Sequence, residues 1–389
     1  MIYLYSDVLL RSGGIETYLH ALALHLYAQG VPFRVAVSEQ EPCTLLEELV
    51  QMGIDVYRQP MVPGDRWHLR KRLLIHWLKR QLSPGDWVYC VRSPMGELYL
   101  KTVRAVHARG ARIAASWALA PEFLRPPESL ASSFNQAVKE TDAVISVSHC
   151  TVHQFKEFYG YEGPVHVVRY HNLEFFKETL PLPPAPPFRV GYMGRIDIVQ
   201  KNLETTLAAF RIVADHRTDV EFHIYGDGPD EGRLAAMALD MNLGGRVIFH
   251  GGYDHRRDLA KIISACHLFV YTSRFEGGPC FSLLELLQAG RFVVASPVGG
   301  IPDIYDGRPD IGCLVPPDDP LQIAQGLENA LEKIARNEIL ASAVRQRYDD
   351  EFTAPIAHAA WLNALEIMHP HPFEKKDVRA EKVPGGVDR

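Results

Sequence analysis

The feature that most constrains the fold of this chain is a repeated alternation of short apolar runs, turn-rich loops and amphipathic helices. Each run is rich in β-branched or aromatic residues, and the loop after it is rich in glycine, proline or serine. In the first repeat, residues 2–5 form a strand-like run and Gly13-Gly14 makes the turn. Apolar residues then recur at helical spacing from Ile15 and stop at Gly30. This alternation predicts parallel sheets covered by helices.

A proline-rich segment divides these repeats into two sets. Residues 181–187 carry five prolines in seven positions, which cannot join the interior of a sheet or helix and so predict a stiff connector. At 389 residues the chain is too long for one ordinary core, so we predict two domains, residues 1–180 and 188–369. Residues 370–389 are charged and carry proline and glycine, which predicts a disordered tail.

The predicted fold class is therefore α/β, with two doubly wound domains. The facing ends of their strands form a cleft, which is where open α/β sheets bind ligands. The predicted strands are residues 2–5, 33–37, 87–91, 112–116, 143–147 and 165–169 in the first domain and 189–193, 221–225, 246–249, 268–271 and 292–295 in the second.

Composition narrows the class of protein. With 47% hydrophobic residues, 23% charged residues and a net charge of −6, the chain is typical of a globular protein and does not favour nucleic acid as a partner. The six cysteines include no CxxC pair, so neither a zinc site nor a disulfide framework is indicated. The chain begins in a strand-like run without the basic region of a signal peptide, and no apolar run is long enough to span a bilayer. We therefore expect a cytoplasmic protein.

Two loops predicted at the cleft carry groups that suit phosphate. Arg195 ends the first predicted strand of the second domain, and Lys201 follows six residues later, at the predicted start of the next helix. Two fixed cations can neutralise charge that builds on a leaving diphosphate, although solvated surface cations are the alternative. Gly13 and Gly14 offer backbone N–H groups near a helix N-terminus, where phosphate oxygens bind, although an ordinary tight turn would have the same sequence.

The most informative segment is residues 273–285, with the sequence SRFEGGPCFSLLE. A strand ends there, Glu276 stands at the mouth of a Gly/Pro loop, and a helix is predicted to begin near Phe281-Ser282. The unpaired N–H groups of a helix start can hold a phosphate. Glu285 would lie about one turn inside that helix, placed to accept hydrogen bonds from a ribose diol. A capping or salt-bridge role is the alternative for either glutamate.

Together these segments resemble the retaining GT-B glycosyltransferases of family 4. The resemblance rests on GGIETY near the N-terminus, GYMGRIDIVQKN after the connector, GDGP, RVIFHGG and SRFEGGPCFSLLELLQAGRFVVASPVGG. It implies two Rossmann-like domains, an N-terminal one that binds the acceptor and a C-terminal one that binds a nucleotide sugar, usually uridine-linked. It also implies retention of anomeric configuration without a metal ion or other cofactor, and the absence of a DxD motif agrees with this.

The resemblance also assigns roles to single residues. Arg195 and Lys201 would hold the diphosphate, and Glu276 would contact the donor sugar. Glu285 would bind the ribose. Phe281 and Ser282 would offer backbone N–H groups to the phosphates, which Gly13 and Gly14 would approach.

The chain departs from the family pattern in two places. Eight residues separate Glu276 from Glu285 where the family has seven, which puts the sugar contact of Glu276 in doubt. The family also often carries a histidine at the end of the strand predicted at residues 112–116, where this chain has Ser116-Trp117.

The acceptor is expected at the strand ends of the first domain. An aromatic face at Trp117, with carboxylates at Glu97 and Glu122, would suit a polyhydroxylated or cationic small molecule, although Trp117 in the core is the alternative. Residues 66–80 carry six Lys or Arg together with leucine and tryptophan. They predict a domain helix with a basic outer face or, as the alternative, a peripheral membrane contact.

The function predicted from the sequence is transfer of a hexose or N-acetylhexosamine from a nucleotide-diphosphate sugar to a small soluble acceptor. An aminocyclitol of an aminoglycoside pathway, and so a place in antibiotic biosynthesis, is one candidate acceptor. A lipid-linked or lipopolysaccharide acceptor at the membrane surface is the enzymatic alternative. A protein that binds nucleotide sugars without turnover is the alternative from another class.

Overall fold

The fold was obtained as a computed structural model that describes residues 1–9, 14–39, 42–59, 67–92, 98–118, 128–169, 174–278 and 280–368. Within these ranges the chain forms two parallel sheets, one on each side of the proline-rich connector. None of the helices in these ranges is both long and apolar enough to cross a membrane.

The first sheet has seven strands in the order β3-β2-β1-β4-β5-β6-β7. The chain moves outward from β1 to β3 and then returns to the other side of β1, so the winding reverses between β1 and β4. This reversal opens a crevice at the carboxyl ends of those two strands. The strands are β1 (Ile2–Leu9), β2 (Phe33–Glu39), β3 (Val56–Arg58), β4 (Trp87–Cys90), β5 (Arg112–Trp117), β6 (Ala143–Ser146) and β7 (Val165–Val167). The helices between them are α1 (Gly14–Ala28), α2 (Thr44–Gln51), α3 (Trp67–Gln81), α4 (Tyr99–His107), α5 (Glu128–Lys139) and α6 (His149–Tyr159).

The second sheet has six strands in the order β10-β9-β8-β11-β12-β13. Its winding reverses between β8 and β11, so the loops after these two strands flank its crevice. The strands are β8 (Phe188–Met193), β9 (Val220–Tyr225), β10 (Val247–Gly251), β11 (Leu268–Tyr271), β12 (Phe292–Ala295) and β13 (Gly312–Leu314). The helices are α7 (Ile198–Lys201), α8 (Leu203–His216), α9 (Glu231–Asp240), α10 (His255–Ala265), α11 (Phe281–Gln288), α12 (Ile301–Tyr305), α13 (Pro320–Ala335), α14 (Ala341–Glu351) and α15 (Ala354–Met368).

All predicted strands are present, and the predicted α/β class is confirmed. Two further strands, β3 and β13, were not predicted; each is an edge strand of three residues. Three residues are too few to show a period of two.

The connector is fixed to the second domain by a buried arginine. Arg291, which is fully buried, donates hydrogen bonds to the carbonyls of Leu180 (2.7 Å) and Pro181 (2.5 Å). The backbone N–H of Phe175 donates to Gln288 Oε1 at 2.9 Å. Residues 175–180 therefore already pack on the second domain, and the boundary predicted at residue 180 lies too late in the chain.

The last described helix returns to the first domain. In α15 the ring of Trp361 lies 4.8 Å from that of Tyr89, and His358 stacks on His25 at 3.7 Å. The prediction that residues 188–369 form one domain is therefore wrong for α15, because its buried face packs on α1 and β4. The predicted tail, residues 370–389, lies outside the described residues.

Candidate functional site

The carboxyl edges of the two sheets come close together at two glycines, Gly14 and Gly277. A Cβ atom added to Gly14, the first residue of α1, would lie 3.2 Å from the ring of Phe281 in α11. A Cβ atom added to Gly277 would lie 2.6 Å from the carbonyl oxygen of Ala118, just beyond β5. The loop that carries Glu276 thus contacts the first domain directly, because Gly277, the residue after Glu276, has no side chain to keep the two backbones apart. Gly13 lies outside the described residues.

Glu276 and Lys201 form a buried ion pair at the crevice of the second sheet. Lys201 Nζ lies 2.5 Å from Glu276 Oε1, and the Ser273 hydroxyl donates to the same carboxylate at 2.6 Å. Glu276 is only 6% exposed. Lys201 ends the short helix α7 and does not begin α8 as predicted, because Asn202 adopts a left-handed conformation between the two helices.

Arg195 joins this pair through a shared glutamine. Its guanidinium lies 2.8 Å from Gln200 Oε1 and 3.0 Å from Asp197 Oδ2, and its side chain is 58% exposed. The amide nitrogen of Gln200 is 3.5 Å from Glu276 Oε2. The structure therefore brings Arg195, Lys201 and Glu276 into one polar network.

The GDGP motif supports the loop that carries Arg195. A side chain at Gly226 would collide with the carbonyl of Gly194, and one at Gly228 would collide with Ile196. Ile196 donates its N–H to the carbonyl of Asp227 at 2.7 Å. The two glycines thus allow two strand-end loops to pack backbone against backbone.

Helix α11 begins at Phe281, as predicted. Its N-cap residue Cys280 makes no side-chain capping bond within the described residues. The first backbone N–H groups of a helix point out of its N-terminus, and in α11 these belong to Phe281 and Ser282. Burial raises the pKa of the Cys280 thiol to about 12, which keeps the thiol protonated at the start of this helix.

Glu285 lies inside α11, only 1% exposed, and its partner was missed by the sequence analysis. His255, the first residue of α10, places Nε2 at 2.7 Å from Glu285 Oε1. This hydrogen bond raises the pKa of His255 above its ordinary value, against the opposing effect of burial. The ring of Phe175 packs edge-on against that imidazole, with centroids 5.1 Å apart. The position of His255 just after a strand was the one signal that could have identified it.

Trp117 is a core residue, so its prediction as an acceptor-binding residue is wrong. It is 1% exposed, and its ring centroid lies 4.6 Å from that of Phe155 and 5.3 Å from that of Tyr159. β5 extends to Trp117, so strand alternation points this ring to the same buried face as Ile113 and Ala115. Neither face of the indole is open to a ligand. Glu97 and Glu122 lie outside the described residues.

A small polar cavity of about 20 Å³ lies at the crevice of the first sheet. Asp7 of β1 and Arg92, just beyond β4, face it from neighbouring strands. Lys71, a buried residue of α3, forms an ion pair with Asp7, with Nζ 2.5 Å from Oδ2. The other lining residues are Tyr5, Ser6, Cys90, Tyr99 and Thr102.

The basic segment at residues 66–80 contains a domain helix, as favoured from the sequence. In α3 the side chains of Leu74 and Leu78 are fully buried against the first sheet. The described residues contain no group of three or more His, Cys, Asp or Glu side chains arranged to hold a metal ion.

Comparison with known proteins connects this architecture to a family. The family described as Glycosyltransferase Family 4 matches residues 12–169, and the one described as Glycosyl transferases group 1 matches residues 187–333. The protein of Anabaena named HepE, solved in complex with UDP, superposes with a TM-score of 0.74 and 18% identity, covering 94% of this chain and 99% of that one. At that identity the likeness shows the fold.

Two curated relatives share parts of the sequence. A 2-deoxystreptamine glucosyltransferase from Streptomyces kanamyceticus is 28% identical over 193 residues, which are 49% of this chain and 48% of that protein. A poly(ribitol-phosphate) alpha-N-acetylglucosaminyltransferase from Staphylococcus aureus is 26% identical over 178 residues, which are 45% of this chain and 34% of that protein. The chain thus matches less than half the length of either relative. The two family matches and the shared fold identify this chain as a member of the group 1, family 4 glycosyltransferases, with the GT-B fold.

Proposed function

We propose that this chain transfers a hexose or N-acetylhexosamine from a uridine-diphosphate sugar to a small soluble acceptor, with retention of anomeric configuration and without a metal ion. The network of Arg195, Gln200, Lys201 and Glu276 is the observation that carries the proposal. It places two cations and a carboxylate beside a helix N-terminus, at the edge where the domains meet.

In the proposed donor complex, the diphosphate lies between Arg195, Lys201 and the N–H groups of Phe281 and Ser282. A phosphate oxygen takes the place of Glu276 as the partner of Lys201. Glu276 is then able to accept hydrogen bonds from the donor sugar. The ribose hydroxyls bind Glu285, whose other partner His255 fixes the orientation of the carboxylate.

The proposed reaction breaks the bond between the anomeric carbon and the diphosphate oxygen, and the electron pair leaves with the diphosphate. Arg195 and Lys201 neutralise the charge that develops on that oxygen. The acceptor hydroxyl forms its bond to the anomeric carbon on the face from which the diphosphate leaves. Its proton passes to the departing phosphate oxygen, so no metal ion is needed to balance the charge.

The acceptor is assigned to the carboxyl edge of the first sheet. Asp7, held by Lys71 and open to the cavity between β1 and β4, suits the hydroxyl or ammonium group of an aminocyclitol. The name of the Streptomyces relative supports this class of acceptor. Glu97 and Glu122 remain predicted acceptor residues.

The test is a donor screen with purified protein. UDP-glucose and UDP-N-acetylglucosamine are added singly, and thermal unfolding and UDP release are measured with and without 2-deoxystreptamine. We expect thermal stabilisation by the donor, slow UDP release alone and faster release with acceptor. Nuclear magnetic resonance of the product then reports the anomeric configuration. Stabilisation without any UDP release would indicate a non-catalytic nucleotide-sugar-binding protein, and an inverted product would contradict retention.

A second candidate is transfer to a lipid-linked acceptor at a membrane surface. It is favoured by the outward face of α3, which is both basic and apolar. The same screen with a lipid-linked polyol in place of 2-deoxystreptamine separates the two candidates.

A further inference from the structure

Helix α3 has two faces with different environments. At about 100° per residue, its exposed residues fall within one arc of roughly 140° on the helix surface. Those residues are His68, Leu69, Arg72, Leu73, His76, Lys79 and Arg80. The residues opposite them are buried against the first sheet: Arg70, Lys71, Leu74 and Leu78.

The exposed face has an apolar side. Leu69 and Leu73 are 38% and 40% exposed and lie one turn apart. Trp77 extends the row by another turn and stacks on Tyr57 of the edge strand β3, with ring centroids 3.8 Å apart. We refer to Leu69, Leu73 and Trp77 as the apolar ridge. A groove of about 350 Å³, lined in part by Leu73, Trp77 and Tyr57, runs beside it.

The rest of the exposed face is basic. Arg72, Lys79 and Arg80 point outward, and within the part of the chain that the structure describes none of them forms an ion pair. The helix contains no Asp or Glu, although the whole chain has a net charge of −6. Exposed arginines on other helices do pair with acids four residues away, as Arg211 does with Asp215. The outward cations of α3 are therefore left to bind a partner outside the domain.

The inner face of α3 ties its amino end to the carboxyl edge of the first sheet. Arg70 donates to the carbonyl of Glu39 at the end of β2, at 2.8 Å, and Lys71 holds Asp7 of β1. A surface that binds the outward face of α3 would therefore lie beside the cavity assigned to the acceptor.

We infer that the outward face of α3 docks the protein on an anionic membrane surface. The apolar ridge would enter the boundary between headgroups and acyl chains, while Arg72, Lys79 and Arg80 would meet lipid phosphates. Nucleic acid would satisfy the cations but leave Leu69 and Leu73 in water, so the combination favours lipid. The inference does not depend on which acceptor the enzyme uses.

The test is sedimentation of the full-length protein with vesicles of phosphatidylcholine alone or with about 30% phosphatidylglycerol. We expect binding to the anionic vesicles, weakened by added salt because the Debye length shortens to about 8 Å at physiological ionic strength. The triple variant Arg72→Gln/Lys79→Gln/Arg80→Gln should bind about 100-fold more weakly, since each such cation contributes about a factor of five. The double variant Leu69→Gln/Leu73→Gln should bind about tenfold more weakly.

Matched controls lie on helices of both domains. Leu239 and Leu321 are 67% and 61% exposed, so Leu239→Gln/Leu321→Gln removes more exposed apolar surface than the α3 double variant does. The cationic control is Lys139→Gln/Lys156→Gln/Arg233→Gln, whose three side chains are exposed on α5, α6 and α9. Both controls should bind like the parent.

Three outcomes would overturn the inference. The parent protein could fail to sediment with anionic vesicles. The control variants could lose as much binding as the α3 variants. A single-stranded RNA probe could bind through the same three cations while the leucine variant sediments unchanged, which would assign the face to nucleic acid. UDP release is measured on every variant. A variant that loses vesicle binding but releases UDP like the parent shows that membrane docking and the proposed transferase activity are separate properties.

Discussion

Lys201 Nζ and Glu276 Oε1 lie 2.5 Å apart, and both side chains are almost entirely shielded from solvent. The lysine follows β8 and the glutamate follows β11, so the pair spans the point where the winding of the second sheet reverses. Water has little access to either charge. Removing one of them would therefore leave the other buried without an opposite charge. In the proposed reaction, the donor diphosphate takes over Lys201 and leaves Glu276 to the sugar.

The first prediction contrasts the two cations of the proposed donor site. Arg195→Ala should reduce kcat by about 100- to 1000-fold, the loss of about 2.7–4 kcal/mol typical of a group that stabilises developing charge. Its thermal stability should stay near that of the parent, because Arg195 is exposed and its pairs are surface pairs. Turnover within threefold of the parent would show that Arg195 does not contact the leaving group.

Lys201→Met should reduce turnover as strongly and also cost about 3–5 kcal/mol of stability, because it leaves Glu276 buried without its partner. The double variant Lys201→Met/Glu276→Gln should recover much of the free energy of unfolding, measured with urea, but no turnover. Recovery of both quantities in the double variant would mean that the pair is only structural.

The second prediction concerns metal ions. Charge neutralisation is assigned to Arg195, Lys201 and the backbone N–H groups at the start of α11. We therefore expect UDP release and sugar transfer to continue in excess EDTA at nearly the parent rate. Complete loss of turnover, restored by added Mg²⁺ or Mn²⁺, would show that a metal ion neutralises the charge of the leaving group.

The motif residues assigned to the proposed donor site could be picked out from the sequence because they are carried by single segments. Glu276, Phe281 and Glu285 all lie in one strand–loop–helix unit, and local spacing sets their positions. His255 was missed because its contact with Glu285 spans 30 positions and joins the start of α10 to the interior of α11. A pairing of that kind depends on strand order, which no local period reveals.

The errors in the first domain come from the ends of strands. The sequence placed the end of the first strand at residue 5 and overlooked Asp7, but β1 continues to Leu9. It placed the end of the fifth strand at residue 116 and read Trp117 as a loop residue, but β5 includes it. Strand alternation assigns a side chain to a face only as far as the strand continues, so a strand that is ended too early leaves its last residues without an assigned face.

The third prediction follows from the His255–Glu285 hydrogen bond. This bond raises the pKa of His255 in the folded protein above its value in the unfolded chain. Its contribution to stability should therefore be complete below about pH 6.5 and disappear as the pH rises through the folded-state pKa. The free energy of unfolding of the parent minus that of His255→Gln should fall with rising pH. A difference independent of pH would show that the imidazole stays neutral beside Glu285.

The fourth prediction concerns the stacked imidazoles that join α15 to α1. Burial, with a smaller effect of His358, lowers the pKa of His25 to about 4. As the pH falls below about 6.5 the unfolded chain binds the proton first, so stability should decline down to about pH 4. The His25→Phe variant should show a shallower decline between these values in urea unfolding. If the free energy of unfolding falls equally steeply with pH in both proteins, protonation of His25 does not cause the loss of stability in acid.

The last prediction uses Trp117 to separate core from acceptor site. Its indole is packed among Phe134, Phe155 and Tyr159, so Trp117→Ala opens a cavity and should cost about 3–5 kcal/mol of stability. Because the ring touches neither substrate in the proposed complex, KM for donor and for acceptor should change together or not at all. Asp7→Asn is the matched comparison, since it should raise the acceptor KM alone. The Trp117→Ala variant could instead keep the stability of the parent and show a raised KM for the acceptor alone. That result would show that the ring of Trp117 lies outside the core and binds the acceptor.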